Sequence, residues 1–275
     1  MQLMNRRIYI WVAAFLLGAV VSLRASENVS TTEVPAGMVR IPAGRFTPLF
    51  RGEQDPKDTP VAGFCLDVLP VTNGDFLDFV RANPKWRRSA VKRLFADENY
   101  LKFWAGDLDP GAAASADAPV VHVSWFAAKS YAAWKGKRLP TTAEWEYAAA
   151  ASPTKADGAQ DTRFVQQLRV WYATPSPDRL PPVGRGVANF YGVKDLHGLI
   201  WEWVADYNTA MVTGDARGDT GLERQLFCGS GAEGAKERDN YPAFMRYGFR
   251  SSLKGSYTVH NLGFRCAQDL KEEVK

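Results

Sequence analysis

Between residues 228 and 260 the chain gathers side chains that can do chemistry: Cys228, Glu233, Glu237, Arg246, Tyr247 and His260. A thiol becomes a nucleophile or metal ligand only when its neighbours stabilise the thiolate, while Glu, Tyr and His carry protons in general acid–base catalysis. Arg246 and Arg250 bring forked donors that grip a carboxylate or a phosphate. Each of these residues has a plainer role as well. A free cysteine packs as a small buried hydrophobe, an arginine pairs with an acid of its own chain, and a lone histidine such as His260 is often a surface residue.

The thiol inventory limits the chemistry further. Cys65, Cys228 and Cys266 are the three cysteines, so at least one stays unpaired, and there is no CxxC and no Cys/His cluster at zinc spacing. The three histidines, His122, His197 and His260, lie far apart in sequence. His122 and His197 sit in tryptophan-rich stretches with Trp125, Trp145, Trp201 and Trp203, where packing and internal hydrogen bonds account for them without catalysis.

The elements that must position these groups are short. Gly37 to Gly44 alternates like a strand entering a turn, and Phe64 to Pro70 reads as a second strand. Thr72 or Asn73 caps a helix through Val80, with Phe76 and Val80 on one face. Ser124 caps a helix to about Trp134 that Gly136 ends, and Thr141 to Glu144 has capping-box spacing for a helix through Ala150. Residues 111–118 and 152–161 read as loops, and Pro175, Pro177, Pro181 and Pro182 forbid regular structure around them. No repeat or linker divides the chain.

The 275 residues are 46% hydrophobic and 23% charged, which is globular composition. Arg6 and Arg7 precede an apolar run from Ile8 to Leu23, too short for the roughly 20 residues of a membrane span, and Ala25 offers a small residue at a cut. Residues 1–25 are therefore expected to be a signal peptide, 26–33 a polar tether, 34–270 the folded domain and 271–275 a charged tail. The product is then periplasmic or secreted, with no membrane span after cleavage. Cleavage removes Arg6, Arg7 and Arg24 and lowers the formal charge from +4 to about +1, which leaves no electrostatic case for nucleic acid.

Six motifs follow one another: Met38-Val-Arg-Ile-Pro-Ala-Gly-Arg-Phe46, Val71-Thr-Asn73, Pro119-Val-Val-His-Val-Ser-Trp125, Gly136-Lys-Arg-Leu-Pro-Thr-Thr-Ala-Glu-Trp-Glu-Tyr147, Asp195-Leu-His-Gly-Leu-Ile-Trp-Glu-Trp203 and Asn261-Leu-Gly-Phe-Arg-Cys266. In this order they resemble the formylglycine-generating enzyme, or sulfatase-modifying-factor, family from about residue 36 to 268. The resemblance implies an α+β fold: a single compact domain of the formylglycine-generating-enzyme type, C-type-lectin-like, with low regular secondary structure. It also implies structural calcium and a groove for an extended peptide. In the family's enzymes a cysteine pair binds copper and, with oxygen, oxidises a substrate cysteine to formylglycine. That pair lies between a Gly-Gly-Ser-Trp-like strand and an Arg-rich strand before the terminal Gly-Phe-Arg-Cys. Here the first element reads Phe227-Cys-Gly-Ser-Gly231, and residues 229–265 contain no cysteine. A copper(I) site of that type needs soft thiolates, which Glu, Lys and Arg do not replace, so copper is not expected.

The family's calcium loop maps onto Asp195, Gly198, Ile200 and Glu202, oxygen donors that suit a hard cation. The alternative is that Asp195 caps a turn and Glu202 meets an arginine. The carboxylate of the family's other calcium site falls near Gly184. Cys266 has lost its usual partner, since the helix that carries it reads Ser130-Tyr-Ala-Ala-Trp134; in an oxidising compartment Cys65 either replaces that partner or both stay thiols. Three functions follow from the resemblance. The first is an accessory or maturation factor that binds a protein or peptide partner in the periplasm, as copper-site-lacking members do in settings of copper-enzyme or nitrite-reductase maturation. The second is a periplasmic oxidoreductase with altered chemistry, similar to the family member acting in pyoverdine siderophore maturation. The third is a calcium-dependent carbohydrate binder, which has only the fold behind it.

Overall fold

Strand β1 (Met38–Ile41) pairs antiparallel with β4 (Phe64–Asp67), placing Val39 opposite Leu66 and Ile41 opposite Phe64. The other edge of β4 takes β7 (Ala267–Asp269), so the sheet order is β1-β4-β7 and the two ends of the domain meet in one sheet. Two smaller pairs complete the strands: β2 (Gly44–Phe46) antiparallel to β3 (Thr59–Val61), and β5 (Trp201–Glu202) parallel to β6 (Leu262–Gly263). A Cβ on Gly263 would run into the Val120 carbonyl and the Ile200 side chain, so glycine is what lets β6 lie against β5. This computed structural model describes residues 34–49, 56–207 and 241–270. Cys228, Glu233 and Glu237, the expected signal peptide and tether, and the tail lie outside the described residues.

The expected caps are present. Thr72 and Asp75 form a capping box on α1 (Asn73–Ala82), which buries Phe76, Phe79 and Val80. Ser124 accepts the Ala127 N–H at the start of α2 (Trp125–Trp134), and Gly136 turns the chain at φ 69°. Thr141 and Glu144 box the start of α3 (Thr142–Ala149).

Two helices depart from the sequence reading. Asp161 ends the expected loop, but it also accepts the Phe164 N–H and so starts α4 (Thr162–Ala173), which buries none of its residues. Residues Tyr241–Ser251, to which the sequence reading gives no element, form helix α5. Its buried residues Ala243, Arg246, Tyr247 and Arg250 stand at intervals of three, four and seven, the period of one helix face.

Aromatic side chains do much of the packing between these short elements. One cluster joins Phe76, Phe79, Trp86, Tyr100, Tyr131, Trp203 and Phe264, with the Tyr131 and Phe264 rings edge to face at 5.3 Å. A second packs Ile41, Phe64 and Leu66 of the sheet against Trp145 and Ala148 of α3. Helix α3 thereby has a fixed seat, and its residue Glu146 is carried into the interior.

Candidate functional site

Glu146 is the centre of a buried ion cluster. Arg246 and Arg250 are one turn apart on α5 and both reach it: Arg246 Nη2 donates to Oε2 at 2.6 Å, Arg246 Nε to Oε1 at 2.8 Å, and Arg250 Nη1 to Oε1 at 2.7 Å. Arg246 Nη1 donates to the Tyr172 hydroxyl of α4 at 2.7 Å. Burial pushes the Glu146 carboxyl up, but the two guanidiniums outweigh it and hold it down at about 2. Trp145 lies beneath both cations, 4.8 Å from Arg250 and 5.3 Å from Arg246.

A second pair adjoins it. Arg265 and Glu202 have fully buried side chains and meet at 2.8 Å, and the Trp145 indole N–H donates to Glu202 Oε2 at 2.7 Å. Arg265 also donates to the carbonyls of Asp67, Val68 and Lys194, tying the sheet to the loop before β5. Trp145 therefore bridges the two clusters, with its ring over Glu146's partners and its N–H on Glu202.

The four expected calcium donors can now be placed. Three N–H groups hold Glu202: Arg265 Nη2 on Oε1, Trp145 on Oε2, and Arg265 Nε shared between the two oxygens. Asp195, at φ 56°, accepts the Gly184 and Gly186 N–H groups through its two oxygens. Gly198 makes a turn at φ 93°, and Ile200 is a buried core residue. In this arrangement the cation beside Glu202 is Arg265. The alternative roles, a turn cap and a carboxylate–arginine pair, match the geometry.

Other expected residues scatter. Tyr247 is buried on α5, and burial pushes its phenol well up. His260 is exposed and makes no hydrogen bond or ion pair among the described residues. Cys65 and Cys266 are free, buried thiols on the β4–β7 side of the domain, and burial raises both out of the thiolate range. His197 Nε2 meets the Ala149 carbonyl at 2.9 Å, the internal bond expected of it. His122 differs, since both its ring nitrogens are buried without a hydrogen-bond partner and its ring lies edge-on to Phe103. Burial drives both imidazoles down to about 4.

Two members of the cluster escape a reading of the sequence alone. Glu146 stands inside the Trp145-Glu-Tyr147 motif, where a short carboxylate between aromatics is a usable signal of a buried ion pair. Tyr172 lies on the unexpected α4, whose Phe164, Leu168, Trp171 and Tyr172 do carry helical spacing.

The family whose pattern matches residues 25–270 is described as the sulfatase-modifying factor enzyme 1-like domain. The chain belongs to this family. This sulfatase-modifying-factor protein is 31% identical over 294 residues to the inactive C-alpha-formylglycine-generating enzyme 2 of Bos taurus, with 93% of each chain covered. It is 34% identical over 285 residues to the formylglycine-generating enzyme of Streptomyces coelicolor, covering 85% of this chain and 89% of that one. Among solved structures it is similar to PvdO from Pseudomonas aeruginosa, at 23% identity and a TM-score of 0.45, covering 85% of this chain and 94% of that one. The α+β fold of this family, a single compact domain of mixed helices and short strands, is thus the fold of this chain.

Proposed function

We propose that this sulfatase-modifying-factor protein is an exported accessory or maturation factor that binds a protein or peptide partner and generates no formylglycine. One observation carries the reading. Helix α5 lies within residues 229–265, the stretch that corresponds to the one where the family's enzymes keep their cysteine pair, and its inward face carries Arg246, Tyr247 and Arg250, with both arginines closed onto Glu146. No cysteine lies between residues 229 and 265, and Cys65 and Cys266 are buried elsewhere with their thiols protonated. Residues 229–265 thus supply no thiolate for a copper pair. The similarity to a relative named as an inactive formylglycine-generating enzyme supports the same reading.

What remains is a scaffold with a cleft over α5 lined by Trp171, Tyr172, Trp201 and Phe249. The partner is expected in the periplasm, and maturation of a copper enzyme or a nitrite reductase is the setting we propose for it. A photo-crosslinking residue placed at Trp171, on the rim of this cleft, is expected to give one discrete protein adduct in the periplasm of the source cells. The same residue at Leu94, an exposed position on another segment, should give none. Adducts of equal yield from both positions, or from neither, would count against a partner-binding role.

A further inference from the structure

Among the described residues the Glu146 cluster carries more positive charge than its acids neutralise. Arg246 and Arg250 share Glu146, and Arg265 has Glu202, so three guanidiniums face two carboxylates there. His197 beside them is neutral at any pH well above about 4. The next carboxylate, Asp206, is half-buried and takes the Thr142 N–H at 2.6 Å and the Thr142 hydroxyl at 2.9 Å, at the start of α3. An interior charge without a counter-charge is costly.

The donor accounting points the same way. Both Glu146 oxygens are filled, by Arg246 Nε and Arg250 Nη1 on one and by Arg246 Nε and Nη2 on the other. A guanidinium has five N–H groups, and Arg250 makes a single hydrogen bond, through Nη1. Its Nε and Nη2 have no acceptor among the described residues, and the side chain, only 4% exposed, lines the cleft. They sit at the base of the cleft walled by Trp171, Trp201 and Phe249, the last two stacked at 4.5 Å.

The roof of this cleft is α4, which buries none of its residues and ties to the base through the Tyr172 hydroxyl on Arg246. As it stands, the cleft holds about one water molecule. We infer that it is a carboxylate-binding subsite, in which the carboxylate of a bound peptide takes the place of the Tyr172 hydroxyl on Arg246 and occupies the open donors of Arg250. A carboxylate meets the guanidinium with both partners ionised, whereas the Tyr172 hydroxyl it replaces is a neutral acceptor. One excess positive charge among the described residues calls for a monoanion, and the planar fork of a carboxylate matches a guanidinium edge. The aromatic walls accept an apolar residue next to it. The inference deepens the partner-binding reading and rests on it for the peptide nature of the ligand.

The carboxylate can come from a C-terminus or from an acidic side chain, and three peptides separate these sources: acetyl-Ala-Ala-Phe with a free carboxylate, the same peptide as its amide, and acetyl-Ala-Asp-Phe amide. Binding to the full chain is followed by calorimetry and by the fluorescence of the tryptophans lining the cleft. At least one acidic peptide is expected to bind about tenfold more tightly than the neutral amide, the usual scale of a charge-assisted contact. Tyr172→Phe removes the competing hydroxyl and keeps the aromatic wall, so it should tighten the acidic peptides about fivefold and leave the amide unchanged. Preference for the free C-terminus or for the aspartate identifies the source, and either supports the subsite. Equal binding of all three peptides, or no response of the acid preference to Tyr172→Phe, overturns it. If crosslinking at Trp171 persists after such a failure, partner binding stands and the subsite falls. Selective peptide binding without a crosslinked partner would instead uphold the subsite and remove the protein partner.

Discussion

Glu146→Ala is expected to destabilise the domain by about 3–5 kcal/mol, the range for removing one partner of a buried ion pair. The loss exceeds that of an ordinary buried polar group because Arg246 and Arg250, both nearly inaccessible, are left together without a counter-charge. They cannot give up their protons, and the cleft beside them has room for only about one water molecule to take the place of the carboxylate. Urea denaturation of the mature chain should show a lowered midpoint with an unchanged slope. Glu144→Ala is the control. Glu144 caps α3 and pairs with the half-exposed Arg138, so its removal should cost about 1 kcal/mol, a typical cap. Equal effects from the two variants would mean that the cluster is not the keystone its geometry implies.

Acid is expected to weaken the fold in two successive windows. Burial holds the His122 and His197 imidazoles at about 4 in the folded protein, whereas the unfolded chain binds these protons near pH 6.5. Above that pH both states carry neutral imidazoles and nothing is lost. As the pH falls from 6.5 towards 4 the unfolded state gains protons first, and stability drops by up to about 3 kcal/mol per histidine. Glu146 acts later. Its folded carboxyl is held at about 2, so its contribution is complete above the ordinary carboxylate range and is lost only as pH falls below it. Thermal midpoints measured from pH 7.5 to 3.5 should therefore fall first between 6.5 and 4, and His197→Gln should flatten that first fall. A flat profile from pH 7 to 5 would show that neither histidine is buried neutral.

Local chemistry makes much of this fold legible in the sequence. Thr72, Ser124 and Thr141 cap because their hydroxyls have a nearby N–H to satisfy and a helical pattern beyond, and all three lie where those rules put them. The motifs with Asp195 and Asn261 prove to be neighbours through the β5–β6 pair, which no local rule gives. Helix α4 is hard to read because a polar stretch leads into it and its apolar face covers a cleft rather than a core. Helix α5 is legible in hindsight, since the spacing of Ala243, Arg246, Tyr247 and Arg250 is helical. The partner of Glu202 is hidden for a tertiary reason, since Arg265 lies 63 residues beyond it and only the folded sheet brings it onto that carboxylate. The same long-range pairing hides Glu146, whose partners stand 100 and 104 residues away.

The absence of copper-dependent formylglycine chemistry is the central claim, and aldehyde formation tests it most directly. The mature chain, loaded with copper(I) under a mild reductant and supplied with oxygen and a cysteine-containing peptide, should release no aldehyde product by mass spectrometry above a control of free copper, and should retain no stoichiometric copper after desalting. Stoichiometric copper with multiple turnovers, both lost on Cys228→Ser, would contradict the account and show that a single thiol outside α5 has rebuilt the site.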